Sequence, residues 1–261
     1  MVTPFTVRVR RAAVGLWAGA SILGALGAPP ARAQELKFFA FDSLRGTLAR
    51  DHQPRAVFFA GKHRRTYVAY IDHFFDARVT CYDHDAKTWS EPVRVDDCRT
   101  RDGHNAPAIL VTRDGRLHLF YGCHNHPVKY ARSARPEDVS AWETGHEIGS
   151  RATYTYGVEL AKGDLLLFYR FGGAGQHSPL KVHRSTDRGD TWDDGRVIVD
   201  FEGTSWAKIR DTLYEPEGNR VHLALWEGNK SYWSAFYAAY HPETGNVRAI
   251  NGADLGPVAT R

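Results

Sequence analysis

The sequence predicts an all-β chain, a β-propeller of four-stranded antiparallel blades, from three observations. A turn followed by an alternating apolar run recurs at Gly61, Asp114, Gly163 and Gly218, in steps of 53, 49 and 55 residues. A shorter apolar run precedes each turn, so each unit opens with a hairpin. A further strand-like run follows each hairpin. A fixed period near fifty residues built of antiparallel strands is the signature of propeller blades rather than of a sandwich.

The elements follow in order. The first hairpin joins Val57–Ala60 to Thr66–Tyr70, the second Ala108–Val111 to Leu117–Tyr121, the third Gly157–Leu160 to Leu165–Tyr169, and the fourth Thr212–Tyr214 to Val221–Trp226. Third strands are predicted over Arg78–Tyr82, Lys129–Ser133, Lys181–Ser185 and Ala235–Tyr240. After the third of these, Ser185-Thr186-Asp187-Arg188-Gly189-Asp190-Thr191-Trp192 reads S-x-D-x-G-x-T-W, which resembles the Asp-box of sialidase-like propellers at all of its fixed positions. Weaker echoes stand at the same phase, in Asp83–Trp89, Ser133–Trp142 and His241–Gly245.

Residues 1–33 have the pattern of a secretory signal: Arg8, Arg10 and Arg11, an apolar stretch from Ala12 to Gly27, and Ala31-Arg32-Ala33 as an A-x-A cleavage site. The stretch is short and rich in Ala and Gly for a membrane span. The expectation is a propeller domain over residues 34–261, secreted or periplasmic, with no membrane association after cleavage. Those 228 residues suffice for about four to five blades, so the expected fold is part of a larger, incomplete propeller.

The leader holds four of the 34 basic residues and none of the 30 acidic ones, which leaves the remainder formally neutral. Attraction to a polyanion must then come from a local patch. There is no basic stripe and no recognition helix, and nucleic acid is excluded as a partner on that ground. Among the three cysteines, Cys81 and Cys98 are a candidate disulfide, and Cys123 beside His124 and His126 reads either as part of a metal cluster or as a small buried thiol. No metal position is assigned, and oligomeric state is not legible.

In an antiparallel blade the start of the innermost strand and the end of the second lie at one end of the sheet. His104 and Tyr154 precede the inner runs of the second and third blades; His124 and Arg170 follow their second strands. All four are therefore expected on one face, with the Asp-box on the other as a fold marker. Each has a structural alternative: a turn closed by His104-Asn105, a solvated His124, an aromatic wall of Tyr154 and Tyr156, or an ion pair at Arg170.

Together the four suit β-elimination of a uronic-acid polysaccharide. Arg170 offers a planar fork that neutralises the carboxylate next to the acidic C5 proton. A histidine can accept that proton, and a tyrosine can donate to the leaving oxygen or act as base itself, each role contributing about 10² to 10⁴ in rate. The set needs no cofactor for the chemistry, although a structural metal ion stays open.

The segments Asp102–Pro107, Tyr121–Asn125, Thr153–Gly157 and Phe168–Gly173 resemble those of the BNR-4 repeat family, which includes seven-bladed propeller ulvan lyases. The resemblance implies His104 and Tyr154 as the acid/base pair, His124 as a positioning or charge-neutralising partner, and Arg170 as the carboxylate binder. Asn105, Asn125 and Tyr156 are expected to contact substrate, and Tyr156 competes with Tyr154 for the tyrosine role. The implied function is an exported lyase acting on an anionic, ulvan-like glycan. A non-catalytic glycan-binding propeller is the alternative, and a sialidase-like hydrolase ranks last, because the usual Arg-Ile-Pro start is missing.

Overall fold

The computed structural model describes residues 55–260, apart from 100, 174–176, 202, 204–205 and 229–232. All of these belong to one compact unit, Phe38–Arg261. The signal-like segment lies outside the described residues.

Four blades are present among the described residues. The first contains β1 (Ala56–Ala60), β2 (Arg64–Ile71) and β3 (Asp76–Asp83), with its outer edge divided between β4 (Thr88–Trp89) and β5 (Val93–Asp97), both paired to β3. A single 3-10 turn, Gly103–Asn105, leads into β6 (Ala108–Val111), followed by β7 (Leu117–Tyr121) and β8 (His126–Ser133). The next strand, β9 (Trp142–Glu159), is 18 residues long and serves two blades. Up to Ala152 it pairs with β8 as the outer strand of the second blade, and from Ala152 onward it pairs with β10 (Leu165–Phe171) as the inner strand of the third. The third blade continues through β11 (Leu180–Ser185) and β12 (Arg196–Val199), and the fourth is β13 (Trp206–Glu215), β14 (Arg220–Gly228), β15 (Trp233–Tyr240) and β16 (Val247–Arg248).

The period-2 alternation read from the sequence becomes three cores, one between each pair of neighbouring blades. Tyr67, Ile71 and Val79 of the first blade meet Ile109, Leu119 and Tyr121 of the second. Phe120, Val128 and Tyr130 meet Leu167 and Tyr169 of the third. Phe168, Val182 and Tyr156 meet Ile209, Leu223 and Leu225 of the fourth. Each fully buried side chain of this size contributes roughly 1.5–3 kcal/mol relative to exposure, so inter-blade packing holds the blades side by side.

The Asp-box closes the turn between β11 and β12. Asp187 Oδ1 accepts from Ser185 Oγ (2.7 Å) and Thr191 N (2.9 Å), Oδ2 accepts from Thr191 Oγ1 (2.5 Å), and Gly189 N donates to Ser185 Oγ (2.7 Å). Gly189 is required there: its φ is 94°, and a Cβ would stand 2.1 Å from the Tyr130 hydroxyl. Trp192 then packs edge-on against Phe120 and Tyr130, so the motif of the third blade covers the core shared with the second.

One sequence expectation changes here. Cys81 and Cys98 are both free thiols, buried in the core between the first two blades, and are not joined. The segment after β16 folds back on it, with Arg248 bridging Asp254 and Leu255 N donating to Val247 O (2.9 Å), and then returns to the third blade, where Val199 and Ala259 form a parallel bridge. Ala259 N donates to Ile198 O and its carbonyl accepts from Asp200 N, which occupies the outer edge of β12.

Candidate functional site

Strand register decides which residues share a face. Ala108 pairs with Phe120, which places His104 ahead of β6 and His124 beyond β7 at the same end of the second blade. Arg170 pairs with Thr153, next to Tyr154, whereas Leu165 at the other end of β10 pairs with Ser185 of the Asp-box. The Asp-box and the four polar residues thus lie at opposite ends of the sheets.

His104 sits in the 3-10 turn, whose capping residue is Asp102. Asp102 Oδ1 accepts from the backbone N of His104 (2.9 Å) and lies 2.6 Å from His104 Nδ1. Its second oxygen, Oδ2, contacts Nδ1 of His124. The two imidazoles stack with centroids 4.5 Å apart and planes inclined by 28°. Burial pushes the Asp102 carboxyl up, but the bonds from the His104 backbone and from both imidazoles outweigh it and hold its pKa at about 2. It is therefore an ionised acceptor at neutral pH.

Tyr154 stands beside this pair, its ring centroid 6.1 Å from that of His104. A bulge puts it there. Phe168 pairs with Tyr156 and Arg170 with Thr153, so Tyr154 and Thr155 together stand opposite Tyr169. Tyr154 adopts a left-handed backbone, φ 62°, which costs a non-glycine residue roughly 1–3 kcal/mol and is the kind of strain found at functional sites. The regular alternation of Tyr154 and Tyr156 expected from the sequence is broken by that bulge.

Cations from two blades converge on the Tyr154 ring. The Arg170 guanidinium carbon is 4.8 Å from its centroid and 5.9 Å from the Trp206 ring. Lys208 Nζ, from the inner strand of the fourth blade, is 3.8 Å from the same Tyr154 centroid. Arg170 is 3% exposed and Lys208 8%, so both charges are largely withdrawn from water, where an anion entering the site feels them most strongly. The structure therefore assembles His104, His124, Tyr154 and Arg170 at one mouth between the second and third blades.

Two expected contact residues do other work. Asn105 is fully buried, and its Oδ1 accepts from the backbone N of His124 (2.8 Å), so it fixes the His124 loop instead of facing a ligand. Tyr156 is also fully buried in the core between the third and fourth blades, and its hydroxyl donates toward Ile209 O (3.3 Å) and Arg210 O (3.2 Å). That leaves Tyr154 as the tyrosine at the mouth. Asn125 remains exposed beside Gly173, where a Cβ would stand 3.3 Å from its Oδ1.

Asp102, Lys208 and Trp206 were not picked out in the sequence. Asp102 had a readable signal, an Asx position two residues before a histidine. The Trp206-Ala207-Lys208-Ile209-Arg210 alternation marks an inner strand and could have revealed Lys208. Nothing local indicates that Lys208 reaches Tyr154.

As to metals, the ligand atoms of Asp102, His104 and His124 lie within 4.8 Å of one another, and they are the one such trio among the described residues. The donor types suit a first-row divalent ion. Here, however, both Nδ1 atoms are already turned onto the carboxylate. Cys123 is outside this trio; it is a buried thiol of the core between the second and third blades, pushed up to about 12 by desolvation.

Residues 65–259 match the profile described as BNR repeat-containing family member. An ulvan lyase of Nonlabens ulvanivorans is 29% identical over 204 residues, covering 69% of this chain and 42% of the relative. A second ulvan lyase, from Pseudoalteromonas sp. strain PLSV, is 29% identical over 184 residues, 61% of this chain and 36% of the relative. The matches thus span less than half of these relatives. Among solved structures, an ulvan lyase of polysaccharide lyase family PL25 bound to -[GlcA(1-4)Rha3S]- superposes with a TM-score of 0.73 at 22% identity, over 87% of this chain and 60% of that one. The polysaccharide lyase Uly1 gives 0.63 at 12% identity, over 88% and 60%. These structural likenesses speak for the propeller fold.

Proposed function

The chain belongs to the BNR repeat-containing family, and from that premise we propose that it is a polysaccharide lyase cleaving an anionic, uronate-containing glycan by β-elimination. The observation that carries this reading is the convergence of the Asp102-linked imidazoles, Tyr154 and Arg170 at one mouth. The ulvan lyases among its relatives support the glycan class.

In the proposed reaction Arg170 binds the uronate carboxylate through its planar fork and draws off the negative charge that develops at C5. One member of the pair His104 and Tyr154 takes the C5 proton. The electrons of that C–H bond form the C4–C5 double bond, the C4–O bond breaks, and the leaving oxygen receives a proton from the other member. His124, 4.5 Å from His104 by ring centroids, lies where it would orient the substrate. No step calls for a metal or an organic cofactor.

Export rests on the signal-like residues 1–33 and is part of the same proposal, with a secreted or periplasmic protein meeting a polymer too large to enter the cell. The Tyr154, Trp206, Arg170 and Lys208 cluster also suits a binding module, since stacked aromatics and desolvated cations hold an anionic sugar without turnover.

One experiment separates the two. The protein is incubated with a panel of uronic-acid polysaccharides, ulvan among them, while the unsaturated-uronate absorbance band is followed, with His104→Ala and Arg170→Ala as controls. Growth of the band with the parent and with neither variant supports the lyase. Binding with no new unsaturation on any polymer sinks it in favour of the binding module.

A further inference from the structure

Asp102 touches more of the site than a turn-capping residue needs to. Its two oxygens are divided between two imidazoles that belong to different connections, His104 in the turn before β6 and His124 in the loop after β7. A cap alone would be satisfied by the bond from His104 N to Oδ1. The other groups around the imidazoles are of different character: Tyr154 from β9 stands against His104, and beyond it lie Arg170 of β10 and Lys208 of β13. Asp102 is the carboxylate of this set.

An ionised carboxylate accepts hydrogen bonds and donates none, so a ring nitrogen bonded to it must carry a hydrogen. In a neutral imidazole the other nitrogen then holds the lone pair. We propose that Asp102 is a positioning residue that locks His104 and His124 together as Nδ1–H tautomers, so that Nε2 of each ring is the nitrogen presented to substrate. One carboxylate would thereby set the proton-accepting atom of His104 and the acceptor that His124 offers to sugar hydroxyls. This rests on the lyase reading for its consequence in catalysis, while the tautomer assignment stands apart from it.

Asparagine is the informative substitution. It caps a turn as well as aspartate does and keeps the shape. Its side chain offers one acceptor and one donor, so it can keep only one ring as Nδ1–H. The other ring must accept at Nδ1 and move its hydrogen to Nε2.

The test is imidazole ¹⁵N NMR on the full chain without glycan at about pH 8. The parent is expected to show both His104 and His124 with Nε2 unprotonated, each assigned by its own His→Gln variant. In Asp102→Asn one ring inverts, the melting temperature stays within a few degrees, and kcat on a cleavable uronate polymer falls roughly 10²-fold or more with KM little changed. Nε2–H on either ring of the parent overturns the proposal. So does an Asp102→Asn protein whose tautomers and kcat match the parent, or one that loses kcat only in step with its melting temperature. Should no polymer be cleaved, the lyase reading fails, yet the NMR result still decides the role of Asp102.

Discussion

Lys208 Nζ lies 3.8 Å from the centroid of the Tyr154 ring, although the two residues come from the inner strands of different blades. The contact ties the fourth blade to the mouth between the second and third. Cation–π contacts of this kind are worth about 0.5–2 kcal/mol, more when desolvated, and Lys208 is mostly buried.

Lys208→Met keeps the length of the side chain and removes the charge. The expected result is a fall in kcat/KM of about 10-fold on a uronate polymer, equivalent to the loss of one such contact. Steady-state kinetics beside a melting curve would check it; unchanged kinetics would confine Lys208 to packing.

Tyr154→Phe retains the ring that Arg170 and Lys208 approach while deleting the hydroxyl. Turnover is expected to drop by about 10² to 10⁴, with glycan binding by calorimetry largely retained. Tyr156→Phe removes two bonds to the backbone of the fourth blade, so its expected effect is on stability. Equal activity losses in the two variants would contradict the assignment of Tyr154.

Arg170→Lys preserves charge and loses the fork that grips a carboxylate through two parallel bonds. The predicted kcat/KM is lower by roughly 10²-fold or more, and the loss should be smaller on a polymer whose uronate carboxyls have been esterified. A variant with parental kinetics would remove Arg170 from carboxylate binding.

Acid stability should be governed by buried histidines outside the site. His118 bonds the Tyr130 hydroxyl (2.7 Å) and burial lowers its pKa to about 4; His183 bonds the Tyr169 hydroxyl (2.9 Å) and is lowered by burial as well. Both rings titrate near 6.5 when unfolded, so below that value the unfolded chain binds more protons, down to about pH 4 for His118, with His183 acting in the same direction. Stability contributed above about pH 6.5 is thus lost as pH falls toward about 4. Urea midpoints measured across that window should decline, and His118→Gln should flatten the decline even if it lowers the midpoint at neutral pH. A flat profile in the parent would refute this account.

The local chemistry of the chain carried most of the architecture. Apolar runs such as Leu117–Tyr121 and Leu165–Tyr169 bury alternate residues against the blades on either side, and the Ser185–Trp192 box closes its turn through its own side chains. The shared end of His104, His124, Tyr154 and Arg170 also follows from strand direction, because antiparallel pairing fixes which ends coincide. Depth and partner do not follow from it. Asn105 and Tyr156 have the same residue types and spacing as groups at a surface, and packing alone turned them into the core. Only the assembled blades brought His124 onto the Asp102 carboxylate that His104 meets locally, bent β9 at Tyr154, and carried Lys208 across from the fourth blade. Those contacts join residues far apart in the sequence, and their distances are set by how the sheets pack, which no single segment encodes.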